Sequence, residues 1–358
     1  MTKNNEHKNL NVPDLRFPEF SGEWVETELQ DIVPNICSGK DRISNSGEVA
    51  LYGSTGVIGR TNSASYKENI VLVARVGANA GQMQIGNAPC GVTDNTLVID
   101  AKEWNYYIYY FLQHYNLNRL VFGSGQPLIT GGMLKRIKVR YGCKAERNNI
   151  TRLLCLIDER IATQNKIIED LKLLRDAISG LIFNSMKNEK TILLGNVACI
   201  SNGSGDVQDS DSIKRDGWYP FFDRSEEQKW FPTYSFNREA IIYAGEGQNF
   251  FPRYYKGKFA LHQRCYAITD FCECLLPKYC LYFMNTLNSY FIRNAVGSTV
   301  PSLRMDMFQK AKIKIPTIER QQEIVSTLDA LSLKCENEEI VRALYNTQKS
   351  YLLQQLFI

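Results

Sequence analysis

At 358 residues, with 42 Lys and Arg against 38 Asp and Glu, the chain has room for two or three domains and a net charge of only +4. That balance neither demands nor excludes a nucleic-acid partner, so where the charge lies matters more than its sum. No apolar run approaches the roughly 18 residues of a membrane span, which argues against a membrane protein. The ten cysteines contain no C-x-x-C and face three histidines; Cys265, Cys272, Cys274 and Cys280 match no common zinc spacing, and reduced, partly buried thiols in a cytoplasmic protein are the expectation.

In chain order, MTKNNEHKNLN is polar, lacks the apolar core of a secretory signal, and is expected to be a disordered lead-in. Ile70–Ala74 is an apolar, β-branched run closed by Gly77, the pattern of a buried strand. A Tyr/Leu-rich stretch over 106–118 predicts a helix ending at the turn GSGQPLIT (Gly123 to Thr130), and a short basic strand, RIKVR, follows. From Ile150, steps of four and three give Ile150, Leu154, Ile157, Ile161, Gln164, Ile168, Leu171, Arg175, Ile178 and Ile182: a heptad seam on one long helix. These roughly 33 residues reach about 50 Å.

The same order then recurs. LGNVACISNG (Leu194 to Gly203) repeats LQDIVPNICSG (Leu29 to Gly39), and EAIIYAGEG (Glu239 to Gly247) repeats NIVLVARVG (Asn69 to Gly77). The stretch 278–293 predicts a second Tyr/Leu-rich helix, GSTVPSLR (Gly297 to Arg304) a second turn, and KIKIP a second basic strand. Gly297 minus Gly123 and Pro301 minus Pro127 are both 174. Ile324, Leu328, Leu331 and Cys335 restart the heptad seam, which loses phase and resumes near Ile340, Leu344 and Tyr351. Neither long helix is followed by a compact apolar segment that could cover it, so pairing of the two is preferred over packing on separate β domains. The chain reads as an internal repeat: two β-rich globules and two long helices. A spacer between two similar globules suits contact with two places on something long.

Catalytic motifs are missing. Asn35 to Asp41 mimics the tail of a phosphate-binding loop, but Pro34 replaces its first glycine and Asp41 its magnesium-binding hydroxyl. Basic residues concentrate instead. Arg136, Lys138 and Arg140, and again Lys310, Lys312 and Lys314, alternate with apolar residues, so each trio is expected on one strand face. An ordinary solvated face and a phosphate-contacting surface both fit, and equivalent placement in the two halves favours the second. Loops carry side chains suited to base edges, though each is also an ordinary surface residue: Arg75, Asn79, Gln82 and Gln126 in the first half, and Gln248, Asn249, Arg253, His262, Gln263 and Arg264 in the second. Lys40 of the SGK stretch and Arg304 at the end of GSTVPSLR complete the candidate DNA-binding set.

Taken together, PDLRFPEFSGEW (Pro13 to Trp24), the L-x-D-I…SGK entry, the two Gly-Ser corners and IPTIERQQEIVSTLDAL (Ile315 to Leu331) resemble the specificity subunits of type I restriction-modification systems. The first copy departs from the pattern, because VRYGCKAERNNI lacks the Pro and the Gln pair. The resemblance implies an α+β chain with two target-recognition domains, 15–143 and 187–317, after a lead-in over 1–14. Two antiparallel spacer helices, 144–186 and 318–358, would pack through Ile150, Leu154, Ile157, Ile161, Ile168, Leu171, Ile178, Ile182, Ile324, Leu328, Leu331 and Leu344. It further implies a non-catalytic subunit that binds split double-stranded DNA targets and docks two modification subunits and the restriction/translocase subunits. S-adenosylmethionine, ATP and magnesium would belong to those partners. Two other classes stay open: a helical scaffold pairing proteins without DNA, and a detached specificity module of a single-chain restriction enzyme.

Overall fold

In the computed structural model, residues 11–33, 35–122, 127–297 and 299–358 are described. Pro34, Ser298 and the whole GSGQ corner, with the candidate Gln126, lie outside them. Contacts divide the chain into two compact units: the described residues through Asn165 together with Ile340–Ile358, and Lys166–Glu339. Among the described residues, no helix is long and apolar enough to cross a membrane.

The first unit contains β1 (Val25–Glu28), α1 (Leu29–Ile32), β2 (Ile36–Ser38), β3 (Val49–Gly53), β4 (Gly56–Thr61), β5 (Ile70–Ala74), β6 (Met83–Gly86), β7 (Cys90–Val92), β8 (Thr96–Ile99), α2 (Asn105–Tyr115), α3 (Gly131–Lys135) and β9 (Lys138–Tyr141), and then the start of α4 (Lys144–Ser185). Strand β1 pairs with β9, four strands run in the order β2-β8-β5-β6, and three in the order β4-β3-β7. The run Ile70–Ala74 is buried at every residue, as its unbroken apolar pattern requires. The lead-in expected over 1–14 is corrected at its end. The backbone N–H of Trp24 donates to the Asn11 carbonyl at 2.8 Å, and Pro13 is buried, so residues 11–13 are packed while Asp14 is exposed.

The second unit holds the end of α4, β10 (Lys190–Leu193), β11 (Cys199–Asn202), β12 (Tyr219–Phe222), β13 (Lys229–Phe231), β14 (Phe236–Ala244), β15 (Arg253–Leu261), β16 (Cys265–Thr269), α5 (Pro277–Asn285), α6 (Asn288–Asn294), α7 (Met305–Gln309), β17 (Lys312–Ile315) and the start of α8 (Ile318–Gln355). Its six-stranded sheet runs β11-β16-β14-β15-β12-β13, and β10 pairs with β17. This is the topology of the first unit, with β15 continuous where β6 and β7 are separate. Pro89, between β6 and β7, has no N–H to give a ladder. Strand β14 begins four residues before the expected Ala240. The single helix expected over 278–293 is two, α5 and α6, because the Thr286 hydroxyl bonds back to the Phe283 carbonyl at 2.7 Å and the chain turns there. Cys272 and Cys274, expected to be reduced, are joined by a disulfide, while Cys265 and Cys280 are buried free thiols.

Each unit closes its core with the end of one long helix and the start of the other. In the first, Leu352, Leu356 and Phe357 of the C-terminal segment join Ile150 and Leu154 around Tyr107 and Phe111. In the second, Phe183 and Met186 join Ile324 and Leu328 around Tyr279 and Phe283. The anchoring bond repeats: Tyr107 Oη donates to the Arg140 carbonyl at 2.7 Å, and Tyr279 Oη to that of Lys314 at 2.6 Å. The repeat is therefore cyclic, with the chain's last helical turn filling in one unit the place that α4's last turn fills in the other.

The expected choice between pairing and packing is resolved as both. Within the first unit α4 and α8 also meet each other, through Asp158–Lys349 at 2.7 Å and Asn165–Arg342 at 3.4 Å, residue numbers rising on one helix as they fall on the other. In the second unit Lys172 meets Glu339 at 2.6 Å. The α4 seam lies as expected: Ile150, Leu154, Ile157 and Ile168 are buried, and Ile161, Leu171, Ile178 and Ile182 half-buried. On α8 the expected phase loss is corrected. Leu344, assigned to packing, is 63 % exposed, and Ile340 and Tyr351 also point outward. The seam continues unbroken from Leu328 and Leu331 through Cys335, Glu338, Arg342, Tyr345 and Lys349 to Leu352 and Leu356. Polar side chains occupy its middle, and apolar count alone misplaced it.

Candidate nucleic-acid interface

In both units one three-residue tip lies between a strand leaving the sheet and the strand that re-enters it. In the second it is His262-Gln263-Arg264, between β15 and β16. Five contacts fix it. The N–H of Gly203 donates to the Cys265 carbonyl (3.2 Å), Gly205 to Leu261 (3.0 Å), His262 to Phe222 (2.9 Å) and Cys265 to His262 (2.9 Å). Gly245 packs so closely on the Arg264 carbonyl that a Cβ there would lie 1.9 Å from it. The first unit repeats the four bonds at Thr93-Asp94-Asn95 and has a further hydrogen bond where the second has the close approach at Gly245. Gly39 donates to Thr96 (3.0 Å), Asp41 to Val92 (2.9 Å), Thr93 to Tyr52 (3.0 Å), Thr96 to Thr93 (3.2 Å), and Arg75 to Asn95 (3.0 Å). Gly39 and Gly203 are required for the close approach: a Cβ would sit 2.2 Å from the Val92 carbonyl oxygen, or 2.0 Å from that of Leu261.

Each tip borders a groove. That of the second unit encloses about 620 Å³ between Asp206, Gln208, Asp223, Arg224, Glu246 and the tip. Its floor is an ion pair, Lys229–Asp223 at 2.7 Å, with Asp223 buried; on the wall Arg264 meets Glu246 at 2.6 Å. The Cys265 thiol behind the tip is pushed up to about 11, chiefly by burial, and is no nucleophile. The groove of the first unit, about 550 Å³, is lined by Lys40, Asp41, Arg42, Ile43, Thr93 and Asp94. Asp41, the residue in place of a magnesium-binding hydroxyl, accepts from the Val92 N–H at 2.8 Å and the Ser65 hydroxyl at 2.6 Å, so it ties loop to strand.

The structure sorts the sequence candidates. His262, Gln263 and Arg264 share the groove, with Gln263 and Arg264 exposed; Lys40 is exposed at the other. Gln248, Asn249 and Arg304 are exposed outside the groove linings. Arg253 is occupied: its guanidinium donates to the carbonyls of Ser225 (2.8 Å) and Asp223 and covers the Phe222 ring. Arg75 reaches Ser38 at 3.3 Å, Asn79 is half-buried and Gln82 exposed. Gln126 lies outside the described residues. The tip Thr93-Asp94-Asn95 and the cations Arg42 and Arg224 escaped sequence reading. Aligning G-V-T-D-N-T on A-L-H-Q-R-C would have found the tip, since both precede an apolar strand.

The basic trios lie elsewhere, beside the roots of the long helices. Ile137, Val139, Ala311 and Ile313 are buried while Arg136, Lys138, Lys310 and Lys312 are exposed, so the alternation holds. Arg136 and Lys310, however, cap short helices before their strands begin. Lys138 and Arg140 each meet Glu26 at 2.8 Å and hold its carboxyl below the usual range. Lys310 and Asp306, 2.9 Å apart, move each other's titrations in opposite directions, and Lys314 donates to the Phe183 carbonyl near the end of α4 at 3.3 Å. Among the candidate cations of the two trios, Arg136 and Lys312 are exposed without a side-chain partner.

The Pro corners clamp the sheet edge. Gly77 N–H donates to the Pro127 carbonyl at 2.9 Å and Gly247 N–H to that of Pro301 at 3.1 Å; each corner closes a small bridge, Phe122 with Leu128 and Val296 with Ser302.

The family model for the type I restriction modification DNA specificity domain matches residues 21–173 and 186–343, once on each copy. The type I restriction enzyme EcoDI specificity subunit of Escherichia coli is 32% identical over 149 residues, which are 41% of this chain and 32% of that relative, so the match spans about a third of the relative's length. A crystal structure of the type I restriction-modification system S subunit from M. genitalium shares the fold, with a TM-score of 0.68 at 15% identity over 97% of this chain and 99% of that one. So does a chain from a structure described as the basis of complex assembly and conformational transition of the type I system, with a TM-score of 0.55 at 14% identity over 96% and 99%.

Proposed function

The chain belongs to the family of type I restriction-modification DNA specificity domains, and from that premise we propose that it is a non-catalytic specificity subunit reading a split duplex sequence, one half-site per unit. One observation carries the reading: the same hydrogen-bonded frame presents unlike side chains beside a groove in each unit, Asp94 and Asn95 in one, Gln263 and Arg264 in the other. A shared frame with different tips is what two words read by one mechanism require. Exposed Lys40 and Arg42 at one groove, and Arg224 at the other, supply phosphate contacts, with Arg136 and Lys312 as further candidates.

In this reading the two long helices dock two modification subunits and, through them, the restriction/translocase subunits. Their exposed apolar residues support it: Leu156, Leu344 and Tyr351 in the first unit, Leu173, Leu174, Leu181 and Leu333 in the second. S-adenosylmethionine, ATP and magnesium serve chemistry on those partners, in the cytoplasm, where the DNA is.

The test presents randomised duplexes to the chain assembled with its modification partner and S-adenosylmethionine, and sequences the methylated products. Two half-sites separated by a fixed unread gap are expected, with binding that weakens steeply as salt rises. A single continuous site, or methylation without sequence preference, would sink the proposal.

A further inference from the structure

Resting on the specificity reading above, we propose that Asp94 and Asn95 are base-reading residues of the first unit, and that Asp94 selects a base bearing an exocyclic amino group. The frame around residues 93–95 reproduces four hydrogen bonds of that around 262–264, so position, not resemblance of side chains, identifies the pair. Both residues are exposed and neither side chain has a partner among the described residues, whereas the guanidinium of Arg75, whose backbone N–H bonds the Asn95 carbonyl, is bonded to Ser38. A pinned backbone presenting unengaged polar side chains can meet a base edge with little loss of conformational freedom.

The chemistry then differs by unit. A carboxylate only accepts, so Asp94 takes the N4 amino group of cytosine or the N6 amino group of adenine. Its repulsion from phosphates is offset by Lys40 and Arg42 on the same groove. Asn95 both accepts and donates and fits the N6/N7 edge of adenine. In the second unit Arg264, aligned by Glu246 at 2.6 Å, fits guanine O6/N7, and Gln263 fits adenine. The half-site of the first unit therefore contains adenine or cytosine on the strand that Asp94 meets, and that of the second contains guanine.

The experiment repeats the methylation-motif sequencing with Asp94→Ala, Asn95→Ala and Asp94→Asn. The alanine variants are expected to lose discrimination, by about tenfold or more, at one or two adjacent positions of one half-site. The other half-site and the gap stay as in the parent. Asp94→Asn keeps the shape and adds a donor, so it shifts preference at the same positions and keeps the test alive if the alanine variant fails to fold. A parent motif in two halves that all three variants leave unchanged overturns this inference alone. Relaxation spread over both half-sites also overturns it. A parent with no two-part motif overturns the specificity reading and this inference together.

Discussion

The two units root their outgoing helices by different chemistry at equivalent positions. In the second, buried Gln321 accepts from the Leu276 N–H at 2.9 Å and donates to the carbonyls of Cys274 at 2.8 Å and Pro316 at 3.0 Å. In the first, 174 residues earlier, Arg147 lies over the Trp104 ring at 3.4 Å, and its neighbour Glu146, 1 % exposed, holds Arg16 at 2.7 Å. An amide that satisfies three backbone groups has been exchanged for a cation on an aromatic face plus a buried ion pair. The incoming helices are treated alike instead: Phe183 against Tyr279 and Phe283, and Phe357 against Tyr107 and Phe111. What both units keep is backbone bonding and apolar volume, and what they vary is polar side chains, at the helix root as at the reading tips.

The strongest way to break this equivalence is to remove the shared aromatic. Phe183→Ala and Phe357→Ala each empty a site buried to 4 % and 2 % exposure, and each should cost about 3–5 kcal/mol. Denaturant unfolding measures the loss, and hydrogen exchange of β10–β17 against β1–β9 shows which unit opened. Equal losses sharpen the comparison; a loss confined to one variant would break it.

The helix roots should respond unequally. Gln321→Ala strands one N–H and two carbonyls and should cost about 1–3 kcal/mol. Arg147→Ala removes a stacking contact and strands no hydrogen-bond partner at Nε, so it should cost less, about 1 kcal/mol. The same unfolding measurement decides, and a larger loss from Arg147→Ala would reverse the roles assigned here.

The smallest effect is one of pH. Burial holds the His114 imidazole below its ordinary value, while the Leu353 carbonyl, 2.8 Å from Nδ1, pulls the other way. Its folded value being depressed, its contribution is complete above the ordinary histidine value of about 6.5 and is lost as pH falls through the lower folded value. The matching position in the second unit is Thr286. Exchange protection of β1–β9 should therefore fall on acidification more than that of β10–β17, and His114→Gln should flatten the difference. Equal falls in both units would show that His114 is not the cause.

Much of this architecture could be read before any fold was seen. The repeat, the strand Ile70–Ala74, the two long helices and the Pro corners all rest on local patterns of period two, 3.5 or 174, which a linear chain displays. Equivalent trios of basic residues were visible too, but not that Glu26 and Asp306 engage three of the six cations. Arg253 looked like a reader because its use, holding the carbonyls of Ser225 and Asp223, joins residues about 30 apart. Leu344 looked like packing because an apolar residue at helical spacing carries no mark of which face it takes once Glu338, Arg342 and Lys349 occupy the seam.

Composition and periodicity thus determined the elements and their duplication, because helices and strands are set by neighbours a few residues away. Tertiary structure alone decided which side chains remain available. A charge is cancelled, a guanidinium engaged, or a tip such as 93–95 brought to a groove only by contacts between residues distant in sequence, and those distances close only when the chain folds.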